Sequence, residues 1–164
     1  MASMKNWFPR ALEVIALEPY KLRITWDTGE TLDVDVEEQL RGIPALHPIL
    51  DQEVFARAHL AEWGCSIEWF DTEFGDDNVY AWTREQMGEA SHEMFDAWMR
   101  RNSLTLTSAA NALGMSRRMV SYYRIGRKPI PRHVWLACLG WEAAGGGHMK
   151  RLPRDLSPSA TAHS

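Results

Sequence analysis

The sequence predicts an α+β protein in which a small antiparallel sheet precedes a bundle of short helices. Between residues 21 and 36, apolar and polar residues alternate with a period of two, as in strands with one buried face. After residue 92 the apolar residues recur at helical spacing instead. The charge divides at the same place. Residues 1–91 hold 7 Lys/Arg and 18 Asp/Glu, a net of −11, whereas residues 92–164 hold 11 and 4, a net of +7.

This change of pattern and charge predicts two domains with different partners. We expect an acidic α+β accessory domain over residues 1–88 and an all-α basic domain over residues 89–144. Three glycines begin at Gly145, and the rest of the chain is rich in Ser, Pro and Ala. Residues 145–164 are therefore expected to be a flexible tail.

Composition and termini favour a cytoplasmic protein. The sequence has no run of 18 apolar residues, so we expect no membrane span, and its first residues lack the apolar core of a signal peptide. Cys65 and Cys138 are far apart and have no CxxC partner. Both are expected to be unpaired and buried among apolar residues.

A β-hairpin is predicted at residues 14–36. One face of its strands would bury the alternating residues Leu22, Ile24, Trp26, Leu32, Val34 and Val36. The four residues 27–30 would form the turn, with Gly29 available for a positive φ. A preceding strand is expected at Ala11–Leu17, stopped by Pro19.

The remainder of the acidic half gives weaker signals. Gly42, Pro44 and Pro48 predict a loop. Further strands are expected at residues 54–60 and 67–70, with a turn at residues 63–65 between them. The acidic stretch 71–78 is interpreted as turn-rich, and residues 79–90 as a short helix or an ordered linker. The half would then contain four or five strands.

No catalytic constellation is evident, so we expect a protein that is not an enzyme and needs no cofactor or metal. The paired carboxylates Glu37-Glu38 and Asp76-Asp77 lack a cation-binding loop pattern and are interpreted as solvated surface. His47 and His59 stand twelve residues apart without a metal-ligand motif.

Residues 10–85 resemble a widespread bacterial domain family of unknown function. The likeness is carried by residues 20–24, 26–30, 33–35, 48–51, Phe55 and 67–69. The resemblance implies a small sheet domain that occurs alone or fused to a helix-turn-helix, in some members near genes resembling toxin–antitoxin pairs. It implies no activity.

Three helices are predicted in the basic half. The first covers residues 93–102 with Ser91 as N-cap. The second opens at Leu106 or Thr107 and is ended by Gly114 in a left-handed conformation. Ser116 then caps a third helix that ends at Gly126.

The second and third of these helices match the demands of a helix-turn-helix. The small Ala110 allows close approach of the helices, Gly114 makes the sharp turn, and Val120 fills the gap between them. With the following residues 124–131 and 134–139, the segment resembles the phage-repressor (lambda repressor/Cro-like) family. The resemblance implies a further helix that packs on the first, with Pro131 in its first turn. Leu106 departs from that family, which often has Gln at this position.

The resemblance implies that the third helix enters the major groove of double-stranded DNA. Arg117, Arg118 and Ser121 would then contact base edges. The residues expected at phosphates are Thr107, Ser108, Arg124, Arg127 and Lys128. Ser116 is also expected at the DNA-binding surface. Tyr122 either flanks the sugar-phosphate backbone or covers the core.

The favoured function is sequence-specific DNA binding by a transcriptional regulator, expected to be a homodimer because such proteins usually bind two half-sites. The alternative is an antitoxin-like module. Its acidic domain would neutralise a basic protein partner, and its helix-turn-helix would serve autoregulation.

Overall fold

The computed structural model describes residues 8–155. Two three-stranded antiparallel sheets are followed by helices. The first sheet contains β1 (Ala11–Leu17), β2 (Lys21–Trp26) and β3 (Thr31–Asp35) in that order. The second contains β4 (His59–Leu60), β5 (Ser66–Trp69) and β6 (Thr72–Gly75).

Short helices connect the two sheets. They are α1 (Glu37–Gly42), a 3₁₀ helix (Pro44–Leu50) and α2 (Gln52–Phe55). The longer α3 (Asp76–Gln86) follows the second sheet. The basic half then contains α4 (His92–Arg101), α5 (Leu106–Leu113), α6 (Arg117–Arg124) and α7 (Arg132–Ala143), followed by a 3₁₀ turn (Gly146–His148).

The predicted hairpin is confirmed. Leu22 pairs with Val34 and Ile24 with Leu32 across β2 and β3, and the predicted inward row is buried except for the half-buried Leu32. Gly29 in the turn has φ 93°, as a residue without a Cβ readily adopts. β1 has the predicted bounds.

The connection between the sheets differs from the prediction. Residues 54–60 are not one strand, because Asp51 caps the single-turn helix α2 by accepting hydrogen bonds from the amides of Glu53 and Val54. Residues 42–50 are mostly helical rather than a loop. The acidic stretch 71–78 contains β6 and the first turn of α3, so the described half has six strands.

Two separate hydrophobic clusters fill the interior. The first lies between the sheets and their helices and includes Trp26, Phe55, Trp69 and Tyr80. The second gathers residues of α4 to α7, among them the fully buried Trp98, whose Nε1 donates to the carbonyl of Cys138 at 2.9 Å. The cysteine prediction is half right: Cys138 is buried, but Cys65 lies exposed after the turn at Gly64.

Within residues 8–155, no helix has the length and apolar character needed to cross a membrane. The same described residues contain no cluster of His, Cys, Asp or Glu arranged to hold a metal ion. The expected tail lies partly outside them, since it includes residues 156–164.

Candidate nucleic-acid interface

The helix α5 begins with a reciprocal cap. Thr105 is the N-cap, and its hydroxyl accepts from the amide of Ser108 at 3.1 Å. The hydroxyl of Ser108 in turn accepts from the amide of Thr105 at 2.8 Å. Ser108 is therefore committed to the helix start, whereas the neighbouring Thr107 is exposed.

A tight turn joins α5 to α6. Gly114 adopts a left-handed conformation with φ 67°, and its amide donates to the carbonyl of Ala110. Ser116 then caps α6 by accepting from the amide of Met119 at 3.2 Å. Both features follow the sequence prediction, because caps and left-handed glycines are set by local chemistry.

One face of α6 packs on the helical core. Val120 is fully buried, and the ring of Tyr123 lies 5.9 Å from that of Phe95. With these two residues fixed inward, the helix has a defined rotation about its axis. The side chains on the opposite face are thereby held toward solvent.

The outer face of α6 is basic and contains an aromatic ring. Arg117 and Arg118 are exposed at its first turn. The Nε of Arg118 donates to the Tyr122 hydroxyl at 2.7 Å. The ring centroid of Tyr122 lies 5.4 Å from the Arg118 guanidinium carbon and 5.4 Å from the Lys128 ammonium. Of the two alternatives for Tyr122, the structure therefore supports the outer face rather than the core.

The last turn of α6 is closed by two backbone hydrogen bonds. The amide of Arg127 donates to the carbonyl of Tyr122 at 3.0 Å, and that of Gly126 donates to Tyr123 at 3.4 Å. Gly126 has φ 75°. This is the Schellman pattern, which fixes the path of the chain as it leaves the helix.

The two arginines at this end of the helix are paired with carboxylates. Arg124 donates to Asp96 at 2.8 Å, and Asp96 also pairs with Arg100 at 2.7 Å. Arg127 forms a two-pronged ion pair with Asp27, at 2.9 and 3.1 Å. The exposed fractions of the Arg127 and Asp27 side chains are only 12% and 6%.

The structure therefore places Arg127 away from the phosphate-facing surface expected from the sequence. Its guanidinium is directed into the turn between β2 and β3, where Asp27 also accepts from the amide of Arg10 at 3.1 Å. Lys128, the next residue, is exposed. Adjacent cations thus lie in opposite environments.

His92 is a second contact between the halves that sequence reasoning missed. Its buried ring lies 5.0 Å from that of Phe8, and its Nε2 lies 3.0 Å from the carbonyl of Asp77. Burial lowers the pKa of His92, so the neutral ring donates this hydrogen bond. A Cβ on Gly126 would lie 3.0 Å from the ring of His92 and 3.2 Å from Pro9.

An open groove of about 520 Å³ lies beside this contact. Its walls include Phe8, Glu93, Asp96 and Arg124. Partial burial raises the pKa of Glu93 to about 7, with further contributions from the negative charges of Asp77 and Glu85. The groove therefore contains a carboxyl group that exchanges protons near neutral pH.

The chain is therefore an α+β protein whose helical half presents an exposed basic face on α6. No protein-family profile and no curated protein matches this chain. Among solved structures, it is similar to the "Putative DNA Binding Protein NE0471 from Nitrosomonas europaea ATCC 19718". The two chains are 64% identical, the match covers 93% of this chain and 98% of that one, and the TM-score is 0.88. The chain belongs to the same protein family as NE0471.

Proposed function

We propose that this protein binds double-stranded DNA in a sequence-specific manner and acts as a transcriptional regulator. The observation that carries the proposal is the exposed basic face of α6, held outward by the buried Val120 and Tyr123. The name of the related NE0471, "Putative DNA Binding Protein", supports the same partner.

In this proposal α5 and α6 are a helix-turn-helix of the phage-repressor class, and α6 lies in the major groove. Arg117, Arg118 and Ser121 contact base edges, since an arginine at the first turn can bond both acceptors of a guanine. Thr107, Ser116 and Lys128 contact phosphates, which sets the register. Tyr122 supports Arg118 and Lys128 through the contacts described above.

The contribution of the remaining predicted residues is indirect. Ser108 secures the start of α5, and Arg124 supports the end of α6 through Asp96. Arg127 is assigned to the contact between the halves rather than to DNA. We further propose that the halves are two domains that meet near residue 88, because each encloses its own hydrophobic cluster.

We also propose that the protein binds DNA as a homodimer, because two half-sites require two copies of α6. Leu136 and Leu139 of α7 are 54% and 41% exposed, and they are three residues apart on one helix face. A second copy of the chain would cover them. Light scattering should show a dimer for the wild type and a smaller mass for Leu136→Asp with Leu139→Asp.

The proposed function is tested by selecting bound sequences from random duplex DNA. We expect enrichment of a site with twofold symmetry and an affinity that falls steeply with salt. Absence of binding to any duplex at low salt would overturn the proposal. Recovery of a basic protein partner, with no duplex enriched, would favour the antitoxin-like alternative.

A further inference from the structure

The ion pair between Arg127 and Asp27 joins the acidic half to the segment that follows α6. Asp27 belongs to the turn between β2 and β3, and Arg127 is 100 residues later in the chain. Both side chains are nearly buried, and the two parallel hydrogen bonds fix the orientation of the guanidinium as well as its position. The turn and the end of α6 therefore cannot move independently while the pair is intact.

The backbone of Arg127 extends this connection into the basic face. Its amide closes the Schellman motif on the carbonyl of Tyr122. The ring of Tyr122 is in contact with both Arg118 and Lys128, and Lys128 directly follows Arg127 in the chain. A continuous series of contacts thus runs from a carboxylate of the acidic half to the cations of α6.

We propose that Asp27 is a positioning residue for DNA binding, acting through Arg127 on the chain segment that carries Lys128. This inference rests on the proposed function and gives the sheet half a part in it. The acidic half is then a fixed support for the DNA-binding surface. Asp27 itself presents no unpaired negative charge to DNA, because Arg127 neutralises its carboxylate.

The test uses two substitutions that change the net charge in opposite directions. Asp27→Asn makes the protein one unit more positive, and Arg127→Gln makes it one unit more negative. If Arg127 contacted a phosphate, Asp27→Asn would preserve or raise the affinity for DNA and only Arg127→Gln would lower it. If Asp27 positions the segment, both variants bind the selected duplex more weakly, by roughly 3- to 30-fold.

The double variant completes the test, because two residues acting through one ion pair are not additive. It should bind no more weakly than the weaker of the two single variants. Base preference, measured on single-base variants of the selected site, should stay unchanged throughout. In the free protein, the amides of Gly126 and Arg127 should exchange hydrogen faster in Asp27→Asn than in the wild type.

Two controls separate positioning from a general loss of stability. Glu30→Gln removes another carboxylate of the same turn. This carboxylate pairs with the buried Arg84 and has no part in the Arg127 contact. Asp33→Asn breaks the exposed pair with Arg23 on the same hairpin. Neither should weaken DNA binding. Where Asp27→Asn does not fold, Arg127→Lys replaces it, since it keeps the charge but loses one of the two hydrogen bonds.

The outcomes are distinct. A wild type that binds no duplex overturns both the proposed function and this inference. A wild type that binds, together with an Asp27→Asn variant of unchanged or higher affinity, overturns the inference alone. A loss in Glu30→Gln equal to that in Asp27→Asn also overturns it, because the loss would then follow stability.

Discussion

The two ends of α6 carry arginines in opposite surroundings. At the first turn, Arg117 and Arg118 are exposed, and Arg118 is steadied by a tyrosine hydroxyl. At the far end, Arg124 is paired with a carboxylate, and Arg127, three residues beyond it, forms a second such pair that is almost fully buried. A count of positive charges does not separate these ends. Their surroundings show that the arginines of the first turn are available to a polyanion, whereas those at and after the last turn form ion pairs within the protein.

The turn between β2 and β3 explains part of the charge segregation along the chain. Asp27 pairs with Arg127 of the basic half, and Glu30 pairs with Arg84 of α3, whose side chain is 5% exposed. Arg84 also donates to the hydroxyl of Tyr80 and to Glu89. Of these two carboxylates, Asp27 belongs to the acidic excess and serves as counter-charge to the basic half, whereas Glu30 neutralises an arginine of its own half.

The difference between the ion pairs of Arg124 and Arg127 can be tested by replacing each arginine with methionine, which keeps the apolar part of the side chain. Arg127→Met should lower the free energy of unfolding by about 3–5 kcal/mol, because Asp27 would stay buried without its partner. Arg124→Met should cost only about 0–1 kcal/mol, because Asp96 is partly exposed and retains Arg100. Urea denaturation of both variants measures the difference. Equal losses would remove the distinction between the two pairs.

A second comparison sets Gly126 beside Gly114, the residue at the end of α5. Both have positive φ, so alanine at either position should cost about 1–2 kcal/mol. A Cβ on Gly114 meets nothing within 4 Å, whereas one on Gly126 would press on His92 and Pro9. Gly126→Ala should therefore exceed Gly114→Ala by about 1 kcal/mol or more in thermal or urea unfolding. Equal costs would mean that His92 and Pro9 move aside for the added Cβ without a loss of stability.

A smaller effect concerns pH at the groove beside Arg124. The folded-state pKa of Glu93 is about 7, raised from 4.5, so the folded state binds more protons between these values. The contribution of Glu93 to the free energy of unfolding is therefore fully present below pH 4.5 and is lost as the pH rises through 7. Glu93→Gln should therefore be more stable than the wild type at pH 8, by roughly 1–2 kcal/mol after allowance for solvent screening, and the gain should shrink toward pH 5.

The control for this pH series is Glu62→Gln, which removes the same charge from an exposed position. Asp76 is buried rather than solvated as the sequence suggested, and burial raises its pKa to about 6 and lowers the pKa of His92. Both groups are present in every variant and contribute equally. Melting temperatures at pH 5, 6, 7 and 8 provide the measurement. A Glu93→Gln gain that is constant with pH would contradict the assigned cause.

Local chemistry explains which elements could be predicted from the sequence. The hairpin follows from a period-two pattern and a glycine turn, and α4 to α6 follow from Ser91, Gly114 and Ser116 at their ends. The helix α2 was missed because four residues are too few to show a helical period. Its capping residue Asp51 was the available signal.

The contacts between distant segments could not be predicted in this way. Asp27 and Arg127 are 100 residues apart, and each separately looks like an ordinary surface charge. His92 likewise gives no local sign that its ring meets Phe8 and the carbonyl of Asp77. Pairing of this kind depends on how the sheet half packs on the helices, which no single sequence pattern encodes.

We expect Arg117 and Arg118, with Ser121, to read the DNA sequence, whereas Lys128, in the segment after α6, contacts only the phosphates. The most direct measurement is the binding of Arg117→Ala, Arg118→Ala and Lys128→Ala to a selected duplex and to its single-base variants, at several salt concentrations. We expect each arginine variant to lose about 1–3 kcal/mol of discrimination at one or two base positions. Lys128→Ala should weaken all duplexes alike and lower the salt slope by about one. Unchanged base preference in both arginine variants would contradict the account.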